Sequence, residues 1–139
     1  MKYMIKDIVH DPLFLAQKSE MATKDDVYVA RNLIDTLLAN RDRCVGMAAN
    51  MIGIRKNVIV FDNNGIPMVM LNPVIISKED EYEAEEGCLS LSGTRKTKRY
   101  RKITVAYQNI MFEKKKDRYE GFVAEIIQHE IDHTNGILI

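Results

Sequence analysis

Two periods alternate along the chain. Val27, Ala30, Leu33, Ile34, Leu37 and Leu38 recur at helical spacing and predict an amphipathic core helix from Thr23 to about Asn40. Thr23, with Asp26 three residues later, makes a capping-box-like start, and Asp25 adds negative charge at the positive helix end. From Asn57 the pattern turns to short β-rich runs. Val58-Ile59-Val60-Phe61, the turn Asp62-Asn63-Asn64-Gly65 and Met68-Val69-Met70-Leu71 predict an antiparallel hairpin. Asn72-Pro73 punctuates, and Val74-Ile75-Ile76 predicts another strand. Ile103-Thr104-Val105-Ala106-Tyr107 alternates as a strand that turns near Gln108-Asn109 and returns through Met111-Phe112. Lys114-Lys115-Lys116-Asp117-Arg118 is then an exposed connection into a second helix, Phe122 to Gln128 and beyond, which Asn135-Gly136 stops. Residues 1–22 read as an irregular arm around the turn pair Asp11-Pro12.

These elements predict an α+β domain in which two helices pack with antiparallel hairpins. Val123, Ile127 and Ile131 give the second helix an apolar face, so it should be largely buried. The chain has no internal repeat, low-complexity tract or linker, and 139 residues fit one domain spanning 1–139 with a core of its own.

Composition changes this picture little. Hydrophobic residues make up 46% and charged residues 29%, and Lys plus Arg balance Asp plus Glu at 20 each. No net field therefore argues for nucleic acid or membrane. The acidic run Glu79-Asp80-Glu81-Tyr82-Glu83 reads as a solvated edge; the basic run Arg95 to Lys102 leads into an alternating strand, and the acidic run offsets the basic run's charge. The segment Met1 to Asp7 is broken by charge, which points to neither a signal peptide nor a membrane span and makes a cytoplasmic location the expectation. In such a chain two cysteines are free thiols or ligands rather than a disulfide.

The chemistry concentrates in His129-Glu130-Ile131-Asp132-His133. On a helix, residues four apart share a face with Cβ atoms about 5–6 Å apart, so two imidazoles can hold one metal ion at roughly 2 Å from each nitrogen. Glu130, beside the first ligand, is placed as a base for a water on the metal. Two solvated surface histidines are the bland alternative, but the chain has only three histidines and two of them flank this glutamate. A catalytic site needs a third protein ligand and one open position. His10, Cys44, Cys88 and the carboxylates are candidates. His10 lies in the arm, and Cys44 sits among small apolar residues that suit a buried structural thiol. Cys88 follows a glycine between an acidic strand and a new segment, and spacing favours it over Cys44.

Glu86-Gly87-Cys88-Leu89-Ser90 and Gln128-His129-Glu130-Ile131-Asp132-His133 resemble two of the three signature motifs of peptide deformylases. The third, Gly-x-Gly-x-Ala-Ala-x-Gln, is recognisable in altered form in Cys44-Val45-Gly46-Met47-Ala48-Ala49-Asn50-Met51. The resemblance covers nearly the whole chain and implies a peptide-deformylase-like domain. In it, antiparallel hairpins and sheets pack around a buried C-terminal metal-binding helix, with an N-terminal helix beside them. It implies Cys88, His129 and His133 as ligands of one divalent metal, foremost Fe2+, with Zn2+, Ni2+ and Co2+ also suited to the donors. It further implies Glu130 as the proton carrier, with the Leu89 N–H and Gly46 in the catalytic set. Val45, Gly46, Glu86, Gly87 and Ile126 would contact substrate, Asp132 would fix the helix, and Glu86 with Arg95 would support the cysteine loop as a charge pair. The implied reaction removes formate from N-formylmethionyl peptides of nascent chains, in a monomer or, alternatively, a dimer, with no nucleic-acid partner.

The sequence departs from the family pattern at Met51, where the motif has an oxyanion-binding glutamine, and at Cys44, where it has its first glycine. A thioether cannot donate a hydrogen bond, and losing one such donor costs about 10²–10³ in turnover. Two readings follow. One is a hydrolase of formyl-methionyl or other N-acyl substrates with weakened oxyanion binding. The other is a metal-binding module with a regulatory role. The presence of Glu130 favours the enzyme.

Overall fold

The computed structural model describes residues 5–139, so Met1 to Met4, part of the segment read above for a targeting signal, lie outside the described residues. The arm carries one short helix, α1 (Pro12–Leu15), which the sequence reading placed in irregular chain. Asp11 caps it, its Oδ1 accepting from the Leu13 N–H at 3.0 Å, and Pro12 suits the first turn, where no N–H is required. The capping box forms as expected. The Thr23 N–H donates to Asp26 Oδ2 at 2.8 Å, and the Asp25 N–H donates to Thr23 Oγ1 at 3.3 Å. A 3₁₀ turn, Lys24–Asp26, then leads into α2 (Val27–Ala39).

Five antiparallel strands follow as a meander in chain order: β1 (Gly46–Ala48), β2 (Val58–Asn63), β3 (Ile66–Cys88), β4 (Leu91–Gln108) and β5 (Lys114–Glu120). The closing helix is α3 (Gly121–Thr134). The predicted hairpin over 58–71 is present with the expected turn. Beyond it the expectation needs two corrections. Asn72-Pro73 does not end a strand, because β3 continues through a register shift between Leu71 and Val74. Asn72 sits there at φ 52°, a conformation asparagine tolerates. Its side chain mimics a strand partner, accepting from the Ala22 N–H at 2.8 Å and donating to Ala22 O at 3.0 Å and Gln108 Oε1 at 2.8 Å. The return strand of the second hairpin is Lys114–Glu120 rather than Met111-Phe112, so the lysine run forms an exposed edge strand instead of a connection. The acidic run is the solvated edge expected of it, and it pairs with the basic run along a two-stranded ribbon, Glu79 opposite Lys102 and Glu83 opposite Lys98. Its contacts, such as Lys98 Nζ to Glu81 at 3.5 Å, are exposed and contribute little each.

The core explains why Val58-Ile59-Val60-Phe61 is apolar without a break. Side chains alternate across a strand, and β2 is covered on both faces. Val58 and Val60 join α2 residues Val29, Leu33 and Leu37 in one cluster. Ile59 and Phe61 join α3 residues Ala124, Ile127 and Ile131 in the other. All four β2 residues are fully buried, each contributing roughly 1.5–3 kcal/mol by leaving water. The sheet is thereby clamped between the two helices, and α3 is buried as its apolar face predicted.

Because Asn72 carries three hydrogen bonds and a left-handed backbone, Asn72→Ala is expected to lower unfolding free energy by about 2–4 kcal/mol. Denaturant titration reads this directly, and a loss below 0.5 kcal/mol, the scale of an ordinary surface change, would contradict the staple.

Candidate metal centre

β3 ends at Cys88, the tight Leu89-Ser90 turn leads into β4, and α3 passes beneath with His129 and His133 on one face. The ligand atoms of Cys88, His129 and His133 all lie within 4.8 Å of one another. The two Nε2 atoms face each other at 3.1 Å, and the Ser90 N–H donates to Cys88 Sγ at 3.4 Å. His129 donates its Nδ1–H to Glu86 Oε1 at 2.8 Å, which leaves Nε2 as the lone-pair nitrogen, the tautomer a metal ligand needs. Burial and the neighbouring His129 push His133 down to about 3, so it stays neutral. Burial opposes charge on His129, but hydrogen bonds to Cys88 and Glu86 outweigh it and raise the ring to about 10. A divalent cation held by these donors would take the place of that proton.

Glu86 is held by Arg99, not by Arg95 as expected. Arg99 donates Nε to Oε2 at 2.9 Å and Nη2 to Oε1 at 2.7 Å, and its Nη1 reaches Asp132 Oδ2 at 2.6 Å. Arg95 is directly opposite Glu86 in the backbone register, yet its guanidinium makes no bond to that carboxylate, and its buried Nη1 has no hydrogen-bond partner among the described residues. Arg99 lies two pairs further on the same strand face and is buried. The resemblance implied Arg95, which is only half-buried, whereas Arg99 is buried against the carboxylate.

Glu130 is 4% exposed, and its Oε1 has no hydrogen-bond partner among the described residues. Burial, opposed by the attraction of His129, raises its pKa to about 7. It packs against Gly46, where a Cβ would come 2.9 Å from Glu130 Oε2 and 2.7 Å from Ile126 Cγ2. Glycine is thus a requirement of the approach between β1 and α3. Three donors converging on one point, beside a buried carboxylate oxygen still lacking a partner, fit one divalent cation with an open position for water.

A cleft of about 530 Å³ opens onto this point. Val45, Gly46, Glu86, Gly87, Leu89 and Ile126 all line it, alongside Glu130 and His129. So do both departures. Met51 is 1% exposed, and its Sδ accepts from the Ala48 N–H at 3.5 Å. Cys44 is half-buried rather than fully buried, and its thiol donates to Gly46 O at 3.0 Å. Burial first, then the charge of Glu130, pushes it up to about 12, leaving an unreactive thiol. His10, read as a surface residue, is exposed yet donates Nδ1–H to Ser90 O at 2.9 Å, which ties the arm to the cysteine turn. Sequence reasoning missed this contact and the role of Arg99, both of which join segments distant in sequence.

Fold and site together define a hydrolase class in which a Cys-His-His set holds the metal and a helix glutamate stands beside it. The polypeptide deformylase family model matches residues 5–139. A peptide deformylase of Clostridium beijerinckii is 58% identical over 136 residues, covering 98% of this chain and all of that protein. One of Dictyoglomus thermophilum is 37% identical, covering 98% and 91%. Among solved structures, the Met-Ala-Ser-bound class I type b peptide deformylase of Acinetobacter baumannii matches with a TM-score of 0.88 at 27% identity, covering 97% of each chain. The peptide deformylase of Thermotoga maritima matches at 0.84 and 31%, covering 99% and 95%. The chain belongs to the peptide deformylase family. Its activity is that of a metal-dependent peptide deformylase, with Cys88, His129 and His133 forming the metal site.

Metal analysis of purified variants checks the ligand set. Cys88→Ala is expected to lose most bound metal, whereas Cys44→Ala keeps it. The reverse pattern would overturn the assignment.

Proposed function

We propose that the chain removes the formyl group from N-formylmethionyl peptides, with Glu130 as the proton carrier and ferrous iron as the metal. The observation that carries this reading is the buried, unpartnered Glu130 Oε1 next to the three convergent ligand atoms. A divalent cation held there supplies Lewis acidity, which makes water a nucleophile near neutral pH. The thiolate and two imidazoles suit Fe2+ and also accommodate Zn2+, Ni2+ or Co2+.

The protein's own residues do the rest. Glu130, with a pKa raised to about 7, is matched to taking a proton from attacking water and returning it to the departing amine. Val45, Gly46, Gly87 and Ile126 line the cleft and would seat the peptide, while Glu86 holds His129 in place. The Leu89 N–H would donate to the developing oxyanion, and Gly46 gives Glu130 room. The Met-Ala-Ser in the Acinetobacter relative is what remains of a formylated tripeptide after formate leaves, which supports formyl-Met-Ala-Ser as a substrate here. We place the protein in the cytoplasm as a monomer and assign it no nucleic-acid partner.

Met51 sets the rate. Its thioether is turned to the Ala48 N–H and offers the oxyanion no donor, which costs about 10²–10³ in turnover relative to a donor at that position. Formate release from formyl-Met-Ala-Ser, measured anaerobically with iron-loaded protein, should fall at least 100-fold in Glu130→Ala, and kcat should rise in Met51→Gln. Wild type no faster than Glu130→Ala would sink this substrate assignment.

A further inference from the structure

The arm, residues 5–20, has no part in the mechanism above, yet it is fastened to all three segments that build the site. The Val9 N–H donates to Met51 O at 2.7 Å, and Met51 forms part of the cleft wall. His10, the next residue, donates Nδ1–H to Ser90 O at 2.9 Å, on the turn that follows Cys88. The Ser19 N–H donates to Thr134 O at 2.8 Å, one residue beyond His133. Ile8 packs against the core cluster of Met51, which Cys88 and Leu89 also touch. Of these three hydrogen bonds, only the one from His10 depends on a side chain.

The place where that bond lands gives it a role. Cys88 pairs with Leu91 in the β3–β4 register, so Leu89 and Ser90 are the two loop residues and have no strand partner. Within this loop the Ser90 N–H meets Cys88 Sγ at 3.4 Å, and the carbonyl of the same residue meets the His10 ring. A carbonyl oxygen can only accept, so Nδ1 carries the hydrogen. Fixing the Ser90 carbonyl restrains the loop rotation that would carry the Ser90 N–H away from the sulfur.

We propose that His10 is a positioning residue for the metal ligand Cys88, acting through the Ser90 carbonyl. Val9 presents the ring from a backbone already bonded to Met51, so the clasp sets one wall of the cleft, the Met51 segment, against another, the Leu89 turn. The proposal rests on the reading of Cys88 as a ligand. A hydrogen bond of this kind changes an equilibrium about two- to tenfold. His10 is exposed, so replacing it opens no cavity in the core.

The test compares wild type with His10→Ala and His10→Asn. The first removes the donor; the second keeps it, because the asparagine amide nitrogen stands as many bonds from the backbone as Nδ1. Zinc affinity is read by chelator competition, the Cys88 geometry by the thiolate-to-metal band of the cobalt-loaded protein, and kcat and KM on formyl-Met-Ala-Ser. Denaturant unfolding of the metal-free protein runs alongside. His10→Ala is expected to shift the cobalt band, weaken zinc about two- to tenfold and lower kcat with little change in KM. His10→Asn should return all of these towards wild type. A cobalt band unmoved in His10→Ala would overturn the proposal whatever happens to stability, because the ring would then fasten the arm and nothing more. A shift that His10→Asn fails to reverse would overturn it too. Cys88→Ala separates the two levels: if it keeps its metal, the ligand assignment falls and His10 with it, whereas metal loss there beside an unmoved band in His10→Ala removes only the role of His10.

Discussion

The Arg99 guanidinium, buried between the β3–β4 ribbon and α3, is the contact on which the metal centre depends. The two strands supply Glu86 and Arg99, and the helix supplies Asp132 and His129, so one cation joins both halves of the site. Taking a guanidinium and a carboxylate out of water is costly, and the cost is offset only when each remaining lone pair and N–H finds a partner. Glu86 meets that condition with Arg99 and His129. This makes the assembly intolerant of partial loss, because removing one partner strands the others in a low-dielectric interior. It also fixes the ring of His129, and through it the place where a metal ion can sit.

A second constraint is the closeness of β1 to α3. Gly46 has no side chain because Glu130 and Ile126 occupy that space. On the other face of the sheet, Met47 and Met51 pack into the α2 cluster while Ala48 joins the α3 cluster. The same three-residue strand therefore seals a core and forms a wall of the cleft. Buried on both sides and short, it leaves little freedom for the segment that carries Met51. The Met51 thioether is held on the Ala48 N–H, and having no hydrogen to donate it offers an oxyanion nothing in any orientation.

The two departures at β1 alter the cleft without touching the ligands. Cys44 adds a neutral thiol committed to a backbone carbonyl, and Met51 replaces a donor with an apolar side chain. Neither competes with Cys88 for a metal ion: Cys44 Sγ lies outside the ligand cluster among the described residues. The three metal donors are therefore all in place, and on the function proposed above the oxyanion contacts are where this chain differs from the family pattern.

The sequence by itself determined the elements whose signals are local. The helix over 23–40, the 58–71 hairpin and its turn, the buried face of α3 and the His129/His133 pair all follow from periods of 3.6 and 2 and from capping chemistry within a few residues. The choice of Cys88 over Cys44 was favoured by spacing, settled by resemblance and placed by the structure. Only the tertiary structure decided what depends on distant segments meeting. The register shift at Asn72 lets β3 run on, because Ala22 and Gln108 supply partners that no local pattern reveals. The lysine run becomes an edge strand because β4 offers it a ladder, which outweighs its charge. Arg99 rather than Arg95 holds Glu86 because the fold buries Arg99 beside that carboxylate and leaves Arg95 half-buried, a difference that alternation along the strand does not reveal. Tyr82 meets Glu125 across 43 positions of chain, since folding the ribbon against the helix is what creates that contact.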